Sequence, residues 1–456
     1  MQGSLSSLEV VILAAGQGRR MVSARPKVLH TLAGRPLLAH VLKAAQGLNP
    51  RAIHVVYGHG GEAVRAAFPQ APVHWVLQAE QRGTGHAVSC ALAHLGAQAQ
   101  VLVLLGDVPL ITPATLVALC ARSESGLALL TFHAPGPNQY GRIVRSSQGL
   151  VKRIVEWRDA TPDERALTEV NSGMLAASAE SLRRWLPRLT AANAQGELYL
   201  TDIVALACAD KITVEAVQPA ALHEVQGVNS RSDLASLERA FQHESAQALM
   251  AAGVQLMDPS RLDVRGTLTA GRDVMIDVDC VFEGDVTLAD GVTIGPHCFV
   301  RNSHLGEAAQ IESHSVIDGC EVGRSAHVGP FARLRPGTRL GQEARVGNFV
   351  EVKASSVGAY SKVNHLSYIG DATIGEQVNV GAGVITCNYD GARKHRTIIG
   401  DKAFIGSDSQ LVAPIEIGPG ATIGAGSTVT KDAPPGELTL SRTAQKTVSG
   451  WRRPGK

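Results

Sequence analysis

A glycine-rich turn followed by basic residues is the first feature of this sequence that could bind a ligand. Val10–Leu13 is a short apolar run rich in β-branched residues, which predicts a buried strand. Ala14–Gly18 has almost no side-chain bulk, so its backbone N–H groups can approach a ligand closely. Arg19, Arg20 and Lys27 add positive charge at a predicted helix start, which suits phosphates. The turn matches neither the Walker pattern nor G-x-G-x-x-G, and a turn that serves packing alone is the alternative.

Asp107 is a candidate metal ligand. It follows the apolar strand Val101–Leu105, at the sheet edge where ligands are expected. A carboxylate near phosphates would repel them unless it holds a cation, and Mg²⁺ takes one or two protein oxygens plus phosphate oxygens. The alternative is an aspartate that caps a turn before Pro109.

His365 is a candidate general base in the second half of the chain. An imidazole titrates near neutral pH and can accept a proton from a reacting group. The polar, basic segment Thr386–Thr397 offers further substrate contacts. The alternative for His365 is an ordinary surface histidine.

The elements that must position these residues differ between the two halves. Residues 1–231 alternate predicted strands and helices, which indicates a doubly wound, largely parallel α/β sheet. Residues 232–252 read as one linking helix. The predicted strands are Val10–Leu13, Ile53–Tyr57, Val73–Leu77, Val101–Leu105 and Leu127–Phe132, and the predicted helices are Leu37–Gln46, Glu62–Ala67 and Gly85–His94.

Residues 253–456 follow a period of six. Aliphatic residues recur at every sixth position, and many precede glycine or another small residue. This hexapeptide repeat predicts a parallel β-helix with one inward aliphatic residue per face, and similar hexapeptide proteins wind left-handed. Thr386–Thr397 interrupts the register. The recurring positions are Val322, Val328, Leu334, Leu340, Val346 and Val352, then Val357, Val363 and Ile369, then Ile399, Ile405, Leu411, Ile417, Ile423 and Val429.

Bulk composition excludes several classes of protein. The net charge of +2 argues against nucleic acid or a membrane as the main partner. The seven cysteines include no CxxC pair, which fits a reducing cytoplasm. No signal-peptide pattern and no apolar run of about 20 residues occur in the sequence. We therefore expect a cytoplasmic protein.

The ordered motifs of both halves carry a family resemblance. The first half contains LAAGQGRRM, PKVL, LQAEQRGTGHA, GDVPL, YGRIV, IVEWRDA and NSGM; the second contains RLRPG, GNFVEVK, NHLSYIGD, GAGVITCNYDG and IGSDSQLVAP. Together they resemble the bacterial bifunctional N-acetylglucosamine-1-phosphate uridyltransferase/glucosamine-1-phosphate acetyltransferases, over nearly the whole chain. The resemblance implies that acetyl-CoA and UTP are co-substrates and that Mg²⁺ is the metal.

For the first half, the resemblance implies attack of a sugar 1-phosphate on the α-phosphorus of UTP. This chain has Leu105 where many members of the family carry tyrosine, which removes one possible polar contact. A surface salt bridge is the alternative role for each of the two cations, Arg20 and Lys27. The implied contacts are Leu13, Ala14, Ala15, Gly16, Arg20, Lys27, Gln78, Gly83 and Thr84 for UTP, Asp107 and Asn229 for Mg²⁺, and Gly141, Glu156 and Asn171 for N-acetylglucosamine.

For the second half, the resemblance implies acetyl transfer from acetyl-CoA to glucosamine 1-phosphate, with Glu351 orienting His365. It also implies a homotrimer with sites between chains. The small acetyl-CoA contacts are ambiguous, because β-helix corners favour small residues anyway. The implied contacts are Arg335, Lys353, Tyr368, Asn379 and Lys394 for the sugar phosphate, and Ala382, Asn388, Tyr389, Ser407, Ala425 and Arg442 for acetyl-CoA.

Two other functions fit parts of the sequence. The β-helix could be only a structural, oligomerising or allosteric module attached to a nucleotidyltransferase. That alternative predicts uninterrupted repeats, whereas this chain places His365 and Lys394 around a break. A nucleotide-binding scaffold without chemistry is disfavoured by Asp107 together with Asn229.

Overall fold

The computed structural model describes residues 7–16, 18–58, 61–136 and 138–453. Its contacts divide the chain into two compact units, Met1–Phe241 and Gln242–Lys456, here called unit 1 and unit 2. Within the described residues, no helix is both long and apolar enough to cross a lipid bilayer.

The strands of unit 1 form one mixed sheet and one small hairpin. They are β1 (Leu8–Leu13), β2 (Thr31–Leu32), β3 (Arg35–Pro36), β4 (Ala52–Gly58), β5 (His74–Gln78), β6 (Gln100–Leu105), β7 (Gly126–His133), β8 (Arg142–Arg145), β9 (Val151–Val155), β10 (Glu169–Ser178) and β11 (Thr213–Val217). The main sheet runs β11–β7–β10–β6–β1–β4–β5, with the β8–β9 hairpin attached to β10. Strands β6, β1, β4 and β5 are parallel, so their carboxyl ends meet at one edge.

Helices cover both faces of this sheet. They are α1 (Leu37–Gln46), α2 (Glu62–Ala66), α3 (Thr84–Ala91), α4 (Pro113–Arg122), α5 (Pro162–Arg165), α6 (Ala179–Trp185) and α7 (Ile203–Ala209). A longer helix, α8 (Arg231–Ala251), follows them and ends in unit 2. Val10 and Ile12 of β1 share a core with α1 and α4. Val11 points to the other face and shares a core with α3, α6 and α7. Because successive strand residues face opposite sides, a continuous apolar strand such as β1 needs both layers.

The predicted α/β class is confirmed, and each predicted strand is present to within two residues at either end. Strand β10 is the main difference, because it runs antiparallel to both β6 and β7. Alternation of strands and helices gives no signal for such a reversal. Its register also shifts between Asn171 and Leu175, beside the ends of the parallel strands.

Unit 2 is a stack of short parallel strands arranged in three ladders, which we call faces 1, 2 and 3. Two longer strands, Leu262–Ala270 and Cys280–Leu288, begin faces 2 and 3 together. Face 1 contains Gln255–Leu256, Met275–Ile276, Thr293–Ile294, Gln310–Ile311, His327–Val328, Arg345–Asn348, Lys362–His365, Asn379–Val380, Phe404–Ile405, Thr422–Ile423 and Leu438–Thr439. Face 2 continues with Phe299–Arg301, Val316–Asp318, Arg333–Leu334, Glu351–Lys353, Tyr368–Gly370, Ile385–Cys387, Gln410–Val412 and Thr428–Val429. Face 3 continues with His304–Leu305, Glu321–Val322, Arg339–Leu340, Ser356–Val357, Ala372–Ile374, Thr397–Ile399 and Ile415–Ile417.

The hexapeptide prediction is confirmed: unit 2 is a left-handed parallel β-helix. The recurring aliphatic residues from Val322 to Val429 are all buried in one continuous core. The segment Asn388–Arg396 leaves the stack between faces 2 and 3, inside the predicted interruption. The repeats therefore form the packed core, and the segment that leaves the stack adds polar groups outside that core.

The helix predicted over residues 232–252 runs from Arg231 to Ala251, so it begins and ends one residue earlier. The boundary between the compact units falls inside this helix, after Phe241. The domain division at residues 231 and 252 stays a prediction. Independent folding of the two halves stays a prediction.

Candidate functional sites

The glycine-rich turn of unit 1 lines a cleft of about 660 Å³. The turn leaves β1 at Leu13, while Gln78 ends β5 and Thr84 begins α3, so the parallel strand ends gather these groups. The lining includes Leu13, Ala14, Ala15, Gly16, Lys27, Gln78, Gly83, Thr84, Leu105 and Asp107. The structure thus brings together all but one of the residues predicted to contact UTP.

Of the two arginines predicted to bind phosphate, Arg19 and Arg20, the structure describes only the side chain of Arg20. Arg20 lies on the 3-10 turn Arg19–Met21 and is exposed. Gln17 and the side chain of Arg19 lie outside the described part of the structure. Gly18 has a φ of 61°, and a Cβ added there would lie 2.7 Å from the Lys27 Cβ. A glycine at this position lets the Lys27 stem pass close to the turn.

Lys27 is held between the two predicted metal ligands. Its ammonium donates to the Asp107 carboxylate and to the Asn229 Oδ1, the latter at 3.3 Å. The side chains of Lys27 and Asp107 are mostly buried, with 13% and 17% of their surfaces exposed. Two oxygens from distant parts of the chain therefore converge on a position that already accepts a cation.

The three residues predicted to bind N-acetylglucosamine lie together beside the cleft. The backbone N–H of Asn171 donates to the Gly141 carbonyl at 2.9 Å, and a Cβ on Gly141 would lie 3.4 Å from the Glu156 carboxylate. Glu156 and Asn171 line a second cavity of about 110 Å³. Burial raises the pKa of Glu156, while a hydrogen bond from the Thr201 hydroxyl at 2.9 Å opposes that rise.

Leu105 stands between the cleft and this small cavity, and it lines both. Gly173 in β10 faces it: a Cβ there would lie 2.7 Å from a Leu105 methyl. The irregular register of β10 brings Gly173 to this position. Leu105 therefore contributes an apolar wall to the small cavity.

In unit 2, the predicted sugar-phosphate residues lie on the outer surface of successive coils. Lys353 Nζ lies 3.1 Å from Asp371 Oδ2, and Arg335 Nη1 lies 2.8 Å from Glu351 Oε1. The hydrogen bond with Lys353 lowers the pKa of Lys394, and Coulombic repulsion between the amines acts in the same direction. The same hydrogen bond raises the pKa of Lys353, and the hydrogen bond between Lys353 and Asp371 raises it further. The two amines therefore lie close to each other on the surface.

Asn388 and Tyr368 join this group. The Asn388 amide donates to Asp371 Oδ2 at 2.5 Å and lies 3.5 Å from the Tyr368 hydroxyl. Burial alone would raise the pKa of Asp371, but hydrogen bonds from Lys353 and Asn388 outweigh it and lower that pKa. Tyr389 is exposed and pairs with Lys394 across the loop.

His365 and Glu351 are not hydrogen-bonded to each other in the described structure. His365 Nδ1 contacts Asn348 Oδ1 at 3.0 Å. Glu351 pairs instead with Arg335 and, at 3.7 Å, with Arg333. The two residues lie on different faces of the coil, with a corner of the chain between them. The expected orienting contact from Glu351 is therefore absent among the described residues.

Three small residues predicted to contact acetyl-CoA form a column along one corner. The Asp408 N–H donates to the Ala382 carbonyl, and the Gly426 N–H donates to the Ser407 carbonyl. Ala425 is stacked against Gly406, because a Cβ on that glycine would lie 2.4 Å from the Ala425 nitrogen. Arg442 donates to the Ala425 carbonyl at 2.9 Å. Asn379 lies on face 1, paired with Lys362 and Phe404.

Sequence reasoning missed several groups at these sites. Gln81 donates to the Ala15 carbonyl at 2.7 Å, and its position inside the motif LQAEQRGTGHA could have indicated it. Asp371 and Asn348 likewise lie inside the motifs NHLSYIGD and GNFVEVK, whereas Thr201 lies in none of the motifs. Their contacts depend on which strands are neighbours.

Comparison with known proteins places the chain in one family. Residues 10–252 match the MobA-like NTP transferase domain, residues 264–365 the GMPPB C-terminal domain, and residues 396–431 the bacterial transferase hexapeptide repeat. The chain is 56% identical to "Bifunctional protein GlmU" of Alkalilimnicola ehrlichii, over 99% of this chain and 97% of that one. It is 57% identical to the protein of the same name from Bordetella parapertussis, over 98% and 99%, and 53% identical to that of Marinobacter nauticus, over 99% and 100%. Because relatives more than half identical align along nearly all of both chains, this chain belongs to the GlmU family of bifunctional enzymes, with a uridyltransferase and an acetyltransferase activity.

Proposed function

We propose that the cleft of unit 1 transfers uridylyl from UTP to N-acetylglucosamine 1-phosphate, and that the outer surface of unit 2 acetylates glucosamine 1-phosphate beforehand. The convergence of Lys27, Asp107 and Asn229 in the cleft is the observation that carries the first half of this proposal. In the reaction, a phosphate oxygen of the sugar attacks the α-phosphorus of UTP. The bond to the β-phosphate breaks, and pyrophosphate leaves.

The fixed groups of the cleft suit this reaction because two anions must meet there. The small residues after β1 admit the nucleotide, and Lys27 supplies positive charge for its phosphates. Gln78 is buried and positioned by bonds to the Gly83 carbonyl and to His86, both at 3.2 Å. A fixed amide of this kind can recognise the uracil edge. Arg20 would reach the phosphates from the rim.

Asp107 and Asn229 would hold Mg²⁺. Two protein oxygens plus phosphate oxygens and water are what this ion prefers, and the Lys27 ammonium already lies between these two oxygens. When bound, Mg²⁺ supplies charge for the phosphates. Lys27 would then turn from Asp107 to the nucleotide, so a site held by an internal cation in the free enzyme becomes available together with the substrate.

Gly141, Glu156 and Asn171 would bind the sugar in the small cavity. Leu105, Ile154 and Leu175 provide apolar contacts there, which suit the methyl of an N-acetyl group. Thr201 fixes the Glu156 carboxylate through its hydroxyl. The cavity therefore combines hydroxyl-binding groups with an apolar wall.

On unit 2, His365 would accept a proton from the amine of the sugar. The amine nitrogen would attack the thioester carbonyl of acetyl-CoA. The carbon–sulfur bond breaks, and the CoA thiol leaves. Lys353 and Lys394, with Arg335, form the cationic group that would hold the sugar phosphate. Tyr368 and Asn379 would add contacts to the sugar. Glu351, paired with Arg335, would act within this group.

Acetyl-CoA would lie along the corner column of Ala382, Ser407 and Ala425, next to Asn388, Tyr389 and Arg442. Side chains this small leave the corner open to an extended ligand. Asn388 lies 3.5 Å from the Tyr368 hydroxyl, so the contacts to acetyl-CoA and the contacts to the sugar phosphate would lie side by side. The β-helix corner alone would also favour small residues, so the column supports the proposal less strongly than the polar cluster does.

We also propose a homotrimer located in the cytoplasm. An adjacent corner exposes Phe331, Phe349 and Leu366, with 46%, 57% and 63% of their surfaces accessible. Phe331 and Phe349 are stacked, their ring centroids 5.4 Å apart. Leu366 directly follows His365 in sequence. A second copy of the chain that covered this apolar corner would approach the acetyltransferase site.

The experiment is a reciprocal assay of two variants of the full chain. Asp107→Ala should lose uridylyl transfer by about 10²–10³-fold, as for removal of a fixed electrostatic group. His365→Ala should lose acetyl transfer by about 10²–10⁴-fold, the usual contribution of a positioned base. Each variant should keep the other activity. Normal acetyl transfer by His365→Ala would overturn that assignment, and normal Mg²⁺-dependent UDP-sugar formation by Asp107→Ala would overturn the metal site.

A further inference from the structure

An amide side chain is stacked against the proposed general base. Asn348 ends one strand of face 1, His365 ends the strand above it, and the two residues are paired in register. Neighbouring strands of a sheet are about 4.8 Å apart, so side chains at equivalent positions touch. The contact joins Asn348 Oδ1 and His365 Nδ1 at 3.0 Å.

This contact fixes which ring nitrogen carries the proton. An amide oxygen only accepts hydrogen bonds, so the ring nitrogen facing it must donate. With Nδ1 protonated, the lone pair remains on Nε2, where a base needs it. If the amide were reversed, its NH₂ group would donate to Nδ1, and Nε2 would carry the proton and could not act as a base.

Among the described residues, Asn348 is the one that hydrogen-bonds the His365 ring. The coil above places the Gly381–Gly383 corner against His365, whose carbonyl accepts from the Gly383 N–H at 3.3 Å. Phe349 and Leu366 follow Asn348 and His365 at the corner, both with positive φ. Across the corner on face 2, the charged group is Glu351, held by Arg335 and Arg333. The other charged side chains of these two strands, Arg345 and Lys362, stand at their opposite ends and are paired in register with each other.

We infer that Asn348 is a positioning residue for acetyl transfer, which holds His365 in the tautomer with a free Nε2. This inference rests on the proposed role of His365 as the base. It gives Asn348 the task that family resemblance assigns to Glu351.

Two substitutions at this position separate positioning from structure. Asn348→Leu has a similar shape but accepts no hydrogen bond, so kcat for acetyl transfer should fall about 10–100-fold, a part of the contribution of a positioned base, with KM little changed. Asn348→Asp still accepts, so kcat should stay within about threefold. Its negative charge favours the imidazolium, and the acidic limb of the pH–rate profile should move up by about 1 pH unit.

The chain contains a matched control on the same face. Gln310 Oε1 and His327 Nδ1 lie 3.1 Å apart, also in strands paired in register. Gln310→Leu removes an amide–imidazole bond of the same kind far from the proposed base in sequence. It should leave kcat and the pH profile unchanged.

Each outcome is informative. Wild-type kcat in Asn348→Leu, or an equal loss in Asn348→Leu and Asn348→Asp with no movement of the pH profile, would overturn the inference. A rise in KM with a lower melting temperature in both variants would show a structural role and overturn it too. If His365→Ala retains acetyl transfer, the proposed function fails first. If His365→Ala is inactive and Asn348→Leu is normal, only the present inference fails.

Discussion

In unit 1 the site residues come from distant parts of the sequence, whereas in unit 2 they come from equivalent positions of successive coils. Lys27 and Asn229, 202 residues apart, meet in a cleft at the carboxyl edge of a sheet. Asn348 and His365, 17 residues apart, meet because one coil lies directly on the next. The first site is concave and positioned by loops. The second is on an outer surface and positioned by register, so defects in packing should reach it more directly.

The largest expected effect comes from a cavity in the β-helix core. Ile369 is fully buried between Tyr368 and Gly370 of face 2. Ile369→Ala should lower the free energy of unfolding of unit 2 by about 2–5 kcal/mol and reduce acetyl transfer, because Tyr368 loses its support. Unfolding followed by circular dichroism, with both activities assayed, would measure this.

Ile398→Ala is the matched control for that cavity. Ile398 lies in the strand Thr397–Ile399 but is 41% exposed. Its replacement should change the free energy of unfolding by less than about 0.5 kcal/mol. Equal effects at the two positions would contradict the idea that the packing of inward aliphatic residues positions the site residues of unit 2.

A second prediction concerns the internal cation of unit 1. Lys27→Met should reduce uridylyl transfer by about 10²-fold, because one fixed charge at the phosphates is lost. Without nucleotide, the same variant should bind Mn²⁺ more tightly, because no ammonium competes for Asp107 and Asn229. Paramagnetic resonance of free Mn²⁺ measures the affinity. Weaker Mn²⁺ binding by the variant would contradict the proposed exchange of cations.

A third prediction tests a contact that sequence patterns did not reveal. Thr201→Val keeps the shape of the side chain but removes the hydroxyl bonded to Glu156. We expect uridylyl transfer to fall about 10–100-fold, since a hydrogen bond to a charged group contributes about 1.5–3 kcal/mol. Steady-state kinetics should show the change mainly as a higher KM for the sugar phosphate. An unchanged KM would place the sugar elsewhere.

The smallest expected effect is a pH dependence confined to unit 1. Burial lowers the pKa of His54 below its usual value of about 6.5, although the bond to Glu9 opposes this. The unfolded chain then binds more protons than the folded one, so stability falls as the pH drops below about 6.5, by at most about 1.4 kcal/mol per pH unit. Thermal unfolding at pH 5–7 would measure it. His54→Leu should reduce the dependence, and the remainder would come from His30 and His40, whose pKa values burial also lowers. A matching loss in unit 2 would assign the effect to other groups.

The sequence by itself determined both architectures, and it predicted most of the residues that the structure brings together at the two candidate sites. The inward aliphatic residues of the hexads, the apolar strands of unit 1 and the glycine-rich turn are local patterns, and local patterns are fixed by the periods of side-chain direction along the backbone. Lys27, Asp107 and His365 lie inside sequence motifs and were predicted from those motifs.

Only the tertiary structure decided which groups touch. The reversal of β10 brings Gly173 against Leu105, and the hairpin and turns around it bring Thr201 to Glu156. In unit 2, the stacking of coils places His365 in hydrogen-bond contact with Asn348, and it places Glu351 in an ion pair with Arg335. Such pairings depend on which strands become neighbours and in what register, and a one-residue shift would turn every side chain to the other face. That choice is made by the packing of the whole unit, so no short stretch of sequence contains it.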